Sequence, residues 1–349
     1  PGTPYHWAFP TGTHLPITGE RPGAYRVRLT EDLSIWVAAS RVNLLPRGGD
    51  DVRGAVGTVR VTPYAGYDEV RIATSRRFPF HVEAGERSLA LSVFGARSRT
   101  NWMYLPTDGS LLAGMQWSQP SEDEWRLEID LGPRLWGWST AWADNGDLLL
   151  RVRRPPAIDP SSPLRGIVVA VDAGHPPGGA IGPTRLTEAE ANLAIVKRMI
   201  PLLRDAGATI VEPRPDTAAL GLYERVVAAE QGGAHLFVSV HNNAFGDGVN
   251  PFERAGTSVL YNRPQALLLS RHLQRQLLGE LGLRDLGVIR ADIAVIRHNA
   301  WMPAALTETM FLMVPRQEAA LRDAGVQERI ARAHVRALEA YLRERAERP

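Results

Sequence analysis

Residues 167–179, IVVAVDAGHPPGG, join a run of five apolar residues to Asp172 and His175. Such a run is typical of a strand that is buried on both faces of a parallel sheet. The prolines and glycines that follow His175 predict a loop directly after the strand. Because open α/β sheets bind ligands outside the carboxyl ends of their strands, this stretch predicts a histidine at a ligand-binding edge.

The pattern of the second half alternates between strands and helices. We predict strands at 167–172, 208–212, 235–240, 256–261, 292–296 and 303–307, and helices at 188–206, 218–231, 264–281 and 326–345. This alternation predicts an α/β domain with a largely parallel sheet flanked by helices.

The first half is typical of an all-β region. Short β-rich segments such as 24–29 and 124–131 are separated by Gly, Pro, Asp and Asn, which predicts a sandwich or small barrels. Trp136 and Trp138 leave two interpretations open. They fill a core, which we favour, or they form a carbohydrate-stacking face. The Pro- and Ser-rich segment 153–165 predicts a linker between the halves.

The composition excludes several classes of protein and site. The 349 residues are 44% hydrophobic and 22% charged, which is typical of a folded chain of two or three domains. No run approaches the roughly 20 apolar residues of a membrane span. Arginines are scattered rather than interleaved with aromatic residues, so we predict no nucleic-acid partner. The absence of cysteine excludes disulfides and thiolate metal ligands.

Three predicted strands end in residues that bind metals or transfer protons. His175 follows the first strand, His241 ends HLFVSVHNN, and Glu308 ends PAALTE. Because the carboxyl ends of parallel strands share one edge of a sheet, we expect these three side chains to converge.

A fourth candidate lies at the start of a predicted helix. Thr187 and Glu190 fit a capping box, which gives Glu190 a structural task and leaves Glu188 free to point elsewhere. The alternative for Glu188 is a first-turn acid that interacts favourably with the helix dipole.

Two histidines and one glutamate are a standard ligand set for catalytic Zn²⁺, with a fourth position left open. We therefore predict one Zn²⁺ per chain, bound by His175, Glu188 and His241. Glu308 fits the part of a general base that takes a proton from the attacking water. Each residue alone also has an ordinary structural explanation, so the prediction rests on the combination. Asp172 is a candidate for orienting His175 or a neighbour.

The second half resembles the zinc-dependent N-acetylmuramoyl-L-alanine amidases, which are peptidoglycan amidases of bacterial cell walls. The resemblance implies that His175, Glu188 and His241 are the zinc ligands and that Glu308 is the catalytic glutamate. The chain departs from the family pattern at Ala189, where a basic residue is usual. The matching segments follow the family's order and are VVAVDAGH (168–175), EAEANLAI (188–195), LLRDAGATIVEPRPD (202–216), LYERVVAAEQGGAHLFVSVHNNA (222–244), GTSVLY (256–261), PAALTETMFLMVPRQEAAL (303–321) and RIARAHVRALEAYL (329–342).

This resemblance implies hydrolysis of the amide between N-acetylmuramic acid and the L-alanine of the stem peptide. Asn243, Arg290 and Arg297 are then candidate contacts to an anionic muropeptide, although we favour simple surface positions for the two arginines. Peptidoglycan is the implied partner, with an envelope or divisome activator as a further one. Because the sequence begins at Pro1 rather than at methionine, we expect a removed targeting signal and export to the periplasm or cell wall.

The first half is loosely similar to β domains that are attached to such amidases. We divide the chain into an SH3-like β segment at 1–50 and a β-sandwich at 51–155 that targets the cell wall. A linker at 156–165 and the zinc amidase domain at 166–349 follow.

Two alternatives to the amidase are kept open. The first is a zinc carboxypeptidase-like peptidase of similar fold, which needs an arginine such as Arg290 or Arg297 to hold the terminal carboxylate of its substrate. The second is a non-catalytic cell-wall-binding protein. Reaction products distinguish all three hypotheses.

Overall fold

The computed structural model describes residues 7–45, 53–246 and 248–348. The chain divides into two compact units, Pro1–Arg154 and Pro155–Pro349. The boundary predicted between residues 50 and 51 lies outside the described residues. Across the described ranges, no helix combines the length and the apolar character that crossing a membrane requires.

The first unit is built from β-strands, and one short 3₁₀ turn at Ala39–Arg41 is its one helical segment among the described residues. Its strands are β1 (Trp7–Ala8), β2 (Ile17–Arg21), β3 (Ala24–Arg28), β4 (Ser34–Ala38), β5 (Gly54–Pro63), β6 (Tyr67–Thr74), β7 (Phe80–Ala84), β8 (Ser88–Phe94), β9 (Ala96–Ser98), β10 (Met103–Tyr104), β11 (Leu112–Ser121), β12 (Glu124–Leu131), β13 (Gly137–Trp142) and β14 (Leu148–Arg153).

These strands form three sheets, with the orders β2-β3-β4, β1-β7-β8-β12-β11 and β10-β5-β6-β14-β13, and β9 also pairs with β5. The sequence of β12 explains why this segment forms a strand with one face on the core. Its residues Trp125, Leu127 and Ile129 stand at alternate positions and are buried. Trp136 and Trp138 are also buried, so they belong to the core and form no carbohydrate-stacking face. The predicted all-β character of this region is confirmed.

The second unit begins with turns that include the fully buried Leu164, within the segment 156–165 predicted to be a linker. Its elements are β15 (Val168–Ala173), α1 (Glu188–Asp205), β16 (Thr209–Val211), α2 (Leu222–Gln231), β17 (Leu236–Asn243), α3 (Pro251–Arg254), β18 (Thr257–Tyr261), α4 (Leu267–Leu281), β19 (Asp285–Arg290), α5 (Ala294–Arg297), β20 (Ala304–Phe311), α6 (Pro315–Arg322) and α7 (Ala324–Glu347).

One six-stranded sheet in the order β16-β15-β17-β20-β18-β19 organises this unit. The first four strands are parallel, whereas β18 runs antiparallel to β20 and β19 runs parallel to β18. On one face, Ala170, Phe237 and Leu306 pack with Ala229 of α2 and Ile296 of α5. The predicted α/β class is confirmed, with a mixed sheet flanked by helices.

The strand predicted at 292–296 is wrong. The helix α5 occupies this segment, where Val295 and Ile296 are buried, and the strand of this region is β19 instead. A short apolar run does not distinguish a strand from a buried turn of helix. β19 lies at the edge of the sheet with Asp285, Ile289 and Arg290 exposed, so its sequence lacks the apolar character of the inner strands.

His334 of α7 is a buried histidine behind the sheet. Its Nδ1 lies 2.8 Å from the carbonyl oxygen of Ile330, which can only accept, and its Nε2 lies 3.0 Å from Thr307 Oγ1. Nδ1 therefore carries a proton, and Nε2 can accept from the Thr307 hydroxyl when the ring is neutral. Burial lowers the pKa of His334 to about 4.

This pKa predicts a loss of stability in mild acid. A histidine in the unfolded chain has a pKa of about 6.5. Between this pH and the lower pKa of the folded state, His334 binds a proton in the unfolded state but stays neutral in the folded state. The contribution of His334 to the free energy of unfolding is therefore fully present above pH 6.5. It is lost as the pH falls towards the pKa of His334 in the folded state. Between pH 7 and pH 5 we expect a loss of about 2 kcal/mol from His334 alone.

Urea unfolding at both pH values, in the wild-type protein and in His334→Gln, measures this contribution. The variant should lose about 2 kcal/mol less than the wild type over this range. Equal losses in the two proteins would contradict the assignment.

Candidate metal centre and active site

Three of the predicted ligands meet at the carboxyl edge of the sheet. His175 follows β15, Glu188 is the first residue of α1, and His241 lies on β17. One potential ligand atom from each residue lies within 4.8 Å of the other two. Glu188 Oε1 is 2.9 Å from His241 Nδ1 and 3.3 Å from His175 Nε2. This cluster could hold a metal ion.

The loop after β15 brings the two histidines close together. A Cβ atom at Gly174 would lie 2.2 Å from Cε1 and Nε2 of His241, so only glycine admits the ring here. His175 itself has a φ of 56°, in the left-handed region that non-glycine residues seldom adopt. A side chain at Gly179 would meet Cγ of His175 at 2.9 Å. Small residues on both sides therefore make room for the rings.

The start of α1 presents Glu188 as predicted. The capping box is confirmed, because Thr187 Oγ1 accepts from the Glu190 N–H and Glu190 Oε2 accepts from the Thr187 N–H. Glu188 takes no part in this cap and is almost fully buried. Its Oε2 accepts a hydrogen bond from the Ala180 N–H at 3.0 Å, which leaves Oε1 directed at the histidines.

The second nitrogen of each histidine ring is also held. His175 Nδ1 donates to the carbonyl oxygen of Pro177 at 3.0 Å. His241 Nε2 lies 3.1 Å from Ser239 Oγ, and the Ser239 hydroxyl donates to Asp172 Oδ2 at 2.7 Å. Metal-binding histidines are typically oriented by such bonds on the nitrogen that faces away from the metal.

The donor set fits zinc. Tetrahedral ligands at the usual 2.0–2.1 Å from Zn²⁺ lie about 3.3 Å from each other, close to the two measured separations. Two imidazoles and one carboxylate are a ligand set of catalytic zinc sites. His175 is the most exposed of the three residues, with 27% of its side chain accessible to solvent.

Electrostatics keep the Glu188 carboxylate ionised. Burial opposes its charge, but hydrogen bonds from His175 and His241 outweigh burial and hold the pKa of Glu188 far below its usual range. The same bond to Glu188 raises the pKa of His175, although burial opposes this effect. The ionised Glu188 carboxylate therefore favours positive charge beside it, from a proton on His175 or from a metal ion.

Glu308 lies beside this cluster on the neighbouring strand, opposite His241 in the register of β17 and β20. Its Oε2 is shielded from solvent and has no hydrogen-bond partner among the described residues. Burial, and then the nearby Glu188 carboxylate, raise the pKa of Glu308 well above its usual range. A side chain in this state is suited to exchange protons.

Asn243 and Asp172 occupy different positions around the site. Asn243 lies two residues beyond His241, so its side chain leaves the strand on the same face, and its Oδ1 accepts from the Ala244 N–H. Asp172 is fully buried and bonds Arg225 and Ser239 rather than His175. Its link to the cluster runs through Ser239 to His241.

Arg290 is not brought into the cluster, and Arg297 makes side-chain contacts within its own segment. Arg290 pairs with Tyr261, which pairs with Ala305, three residues before Glu308. Because a strand rises about 3.3 Å per residue, this places Arg290 about 10 Å back along the strands from the site edge, and two strands aside. Arg297 forms an ion pair with Asp292 at 2.7 Å. The sequence did not reveal that β18 and β19 reverse direction, which removes Arg290 from the edge.

Two contributors near the site were missed from the sequence. Arg225 is buried on α2 together with Val226 and Ala229. Asn192 is buried on α1 and donates to the carbonyl oxygen of Gly174 at 3.1 Å. Each polar residue stands where helical periodicity calls for an apolar one, and that mismatch was the available signal.

Comparisons with known proteins identify the family. The family model described as N-acetylmuramoyl-L-alanine amidase matches residues 169–340. This range contains Glu308 and the three residues of the cluster, His175, Glu188 and His241. The Bacillus subtilis protein YqiI is 32% identical over 191 residues, which cover 53% of this chain and 90% of that protein.

Two further relatives carry the amidase name. The N-acetylmuramoyl-L-alanine amidase LytC of Bacillus subtilis is 33% identical over 174 residues, covering 49% of this chain and 35% of LytC. The catalytic domain of CwlV, an amidase from Bacillus (Paenibacillus) polymyxa, is a solved structure with 31% identity and a TM-score of 0.47 that covers 50% of this chain and 98% of that domain. By the family model and by its relatives, this chain belongs to the N-acetylmuramoyl-L-alanine amidase family.

Proposed function

We propose that this chain is a peptidoglycan hydrolase that cleaves the amide between N-acetylmuramic acid and the L-alanine of the stem peptide. We further propose that it uses Zn²⁺ bound by His175, Glu188 and His241. The observation that carries the proposal is the convergence of these donors within 4.8 Å, inside the segment that matches the amidase family. The activity named for LytC supports the choice of bond.

The chemistry divides between the metal and the protein. Zinc held by the three donors would supply a Lewis acid for the scissile carbonyl and for the attacking water. Glu308 takes a proton from this water as its oxygen bonds to the carbonyl carbon. The same carboxyl then gives the proton to the nitrogen of L-alanine as the C–N bond breaks. Burial and the Glu188 carboxylate raise the pKa of Glu308, which favours keeping the transferred proton on this carboxyl between the two steps.

The remaining assignments follow from this substrate. We propose an exported enzyme that works in the periplasm or cell wall, where an envelope or divisome activator has access to it. We propose that the SH3-like segment at 1–50 and the β-sandwich at 51–155 attach it to the wall, ahead of the catalytic domain at 166–349. Asn243 and Arg297 stay proposed substrate contacts, whereas the strand register places Arg290 away from the cluster and Arg290 is left out.

Digestion of isolated sacculi, with products analysed by mass spectrometry, tests the reaction. We expect free stem peptides and intact glycan strands. Shortened stems still joined to glycan would identify a carboxypeptidase instead. Binding to sacculi without any released product, by protein loaded with zinc, would identify a wall-binding protein.

Glu308→Gln tests the general base. The amide keeps the size of the side chain but cannot take a proton, so turnover on sacculi should fall by about 10²- to 10⁴-fold. Zinc content, measured by elemental analysis, should stay at the wild-type level. Glu212→Gln is the matched control, since it removes only a partly exposed ion pair with Arg204 and should leave turnover unchanged within about twofold. Substantial activity in Glu308→Gln would remove Glu308 from the mechanism.

Gly174→Ala tests the metal centre through geometry alone. The backbone of Gly174 lies outside the left-handed region, so the effect comes from the new Cβ, which would displace the His241 ring. We expect zinc to bind more than about tenfold more weakly, by competition with a chelator. Gly279→Ala, within α4 and facing open space, should bind zinc like the wild type and gain about 0.5–1 kcal/mol of stability. Unchanged zinc affinity in Gly174→Ala would contradict the proposed ligand set.

A further inference from the structure

We infer that Arg225 is a positioning residue that holds both histidines of the cluster in their metal-binding orientations. This inference rests on the proposed metal site and concerns a residue that contacts neither ring directly. It follows from four hydrogen bonds of one buried guanidinium and from the two paths that continue from them.

Arg225 lies on α2 with its side chain 1% exposed. Its Nη1 donates to Asp172 Oδ1 at 2.7 Å and to the Ala173 carbonyl oxygen at 2.8 Å. Its Nη2 donates to the Pro176 carbonyl oxygen at 2.6 Å, and its Nε donates to that of Leu220 at 3.1 Å. One side chain thus joins the end of β15, the loop after it and the segment before α2.

The first path leads to His241. The Asp172 carboxylate accepts from Arg225 on one oxygen and from the Ser239 hydroxyl on the other. Since the Ser239 proton is committed to Asp172, the Ser239 oxygen accepts from His241 Nε2 at 3.1 Å. When a metal ion takes the place of the hydrogen bond between His241 Nδ1 and Glu188, the remaining proton of His241 would stay on Nε2 and leave Nδ1 free to bind the ion. Without Arg225, the buried Asp172 carboxylate loses the ion-pair partner that lies 2.7 Å from its Oδ1.

The second path leads to His175. The guanidinium binds carbonyl groups on both sides of this residue, those of Ala173 and Pro176. Pro176 and Pro177 have no backbone N–H, so neither residue can donate a hydrogen bond that would fix the loop. His175 must also keep a left-handed backbone while its Nδ1 donates to Pro177. Fixing the Pro176 carbonyl fixes the peptide that leads to the Pro177 acceptor.

Arginine is suited to this task and lysine is not. A guanidinium offers five N–H donors in a rigid plane, and four acceptors are used here. A lysine at this position keeps the charge beside Asp172 but cannot reach acceptors spread around the plane. The Arg225→Lys variant therefore keeps the positive charge beside Asp172 and removes most of the hydrogen bonds, so its effect measures the hydrogen bonds alone.

The experiment compares metal-free full-length protein and three variants. Arg225→Lys keeps the positive charge but removes the planar guanidinium and its set of hydrogen bonds. Ser239→Ala removes the hydroxyl that links Asp172 to His241 and keeps Arg225 unchanged. Arg263→Lys is the control, because Arg263 is a partly buried arginine that donates to a carbonyl oxygen, that of Arg297. The measurements are the zinc dissociation constant by chelator competition, the visible absorption spectrum of the Co²⁺-loaded protein, and the melting temperature without metal.

We expect zinc to bind about 10- to 100-fold more weakly in Arg225→Lys and about tenfold more weakly in Ser239→Ala. Both variants should show altered Co²⁺ spectra. Arg263→Lys should lose melting temperature yet bind zinc within threefold of the wild type. If Arg225→Lys does not fold, Ser239→Ala decides the question by the same criteria.

Two results would overturn the inference in different ways. If Arg225→Lys and Ser239→Ala bind zinc within threefold of the wild type with unchanged Co²⁺ spectra, Arg225 only supports the fold and the proposed function stands. If the wild-type protein binds no zinc after reconstitution, the proposed metal site fails and the positioning role fails with it.

Discussion

The parallel pairing of β15, β17 and β20 is the constraint on which the site depends. Ala173 lies opposite Val240 and His241 lies opposite Glu308, so the strands end at one edge with their functional residues aligned. Successive side chains of a strand point to opposite faces, and a slip of β17 by one residue would turn His241 to the other face. The apolar residues that fix this register therefore also fix the chemistry.

The same face of the sheet changes from apolar to polar along its strands. Ala170 and Phe237 lie in the core beneath α2 and α5, and the next residues on that face are Asp172 and Ser239. Burying a charged pair such as Asp172 and Arg225 is not an efficient way to stabilise a fold, because its desolvation offsets the attraction. A buried pair placed directly between core and site is better explained by the orientation that it gives to the residues above it.

Much of the site could be predicted because strand ends and helix caps are local signals. The strand before His175 and the capping box that frees Glu188 are both contained in about twenty residues of sequence. Strand direction is not local. Nothing in the periodicity of β18 shows that it runs against β20, and the placement of Arg290 depended on that direction. The few apolar residues of the short helix α5 fit both periods, so the sequence there predicts a strand as readily as a helix.

The contacts of Arg225 are long-range, since Asp172 precedes it by 53 residues, and no local pattern specifies such a partner. Its position in the helix was nevertheless informative. Asp172, Asn192 and Arg225 are each buried where the pattern of their element calls for an apolar side chain. Local rules of folding are broken most often where function requires it, and each of these three residues bonds the strand end or loop that carries His175 or the serine beside His241. Buried polar residues within apolar periodicity therefore point to this site from the sequence, even though their partners do not.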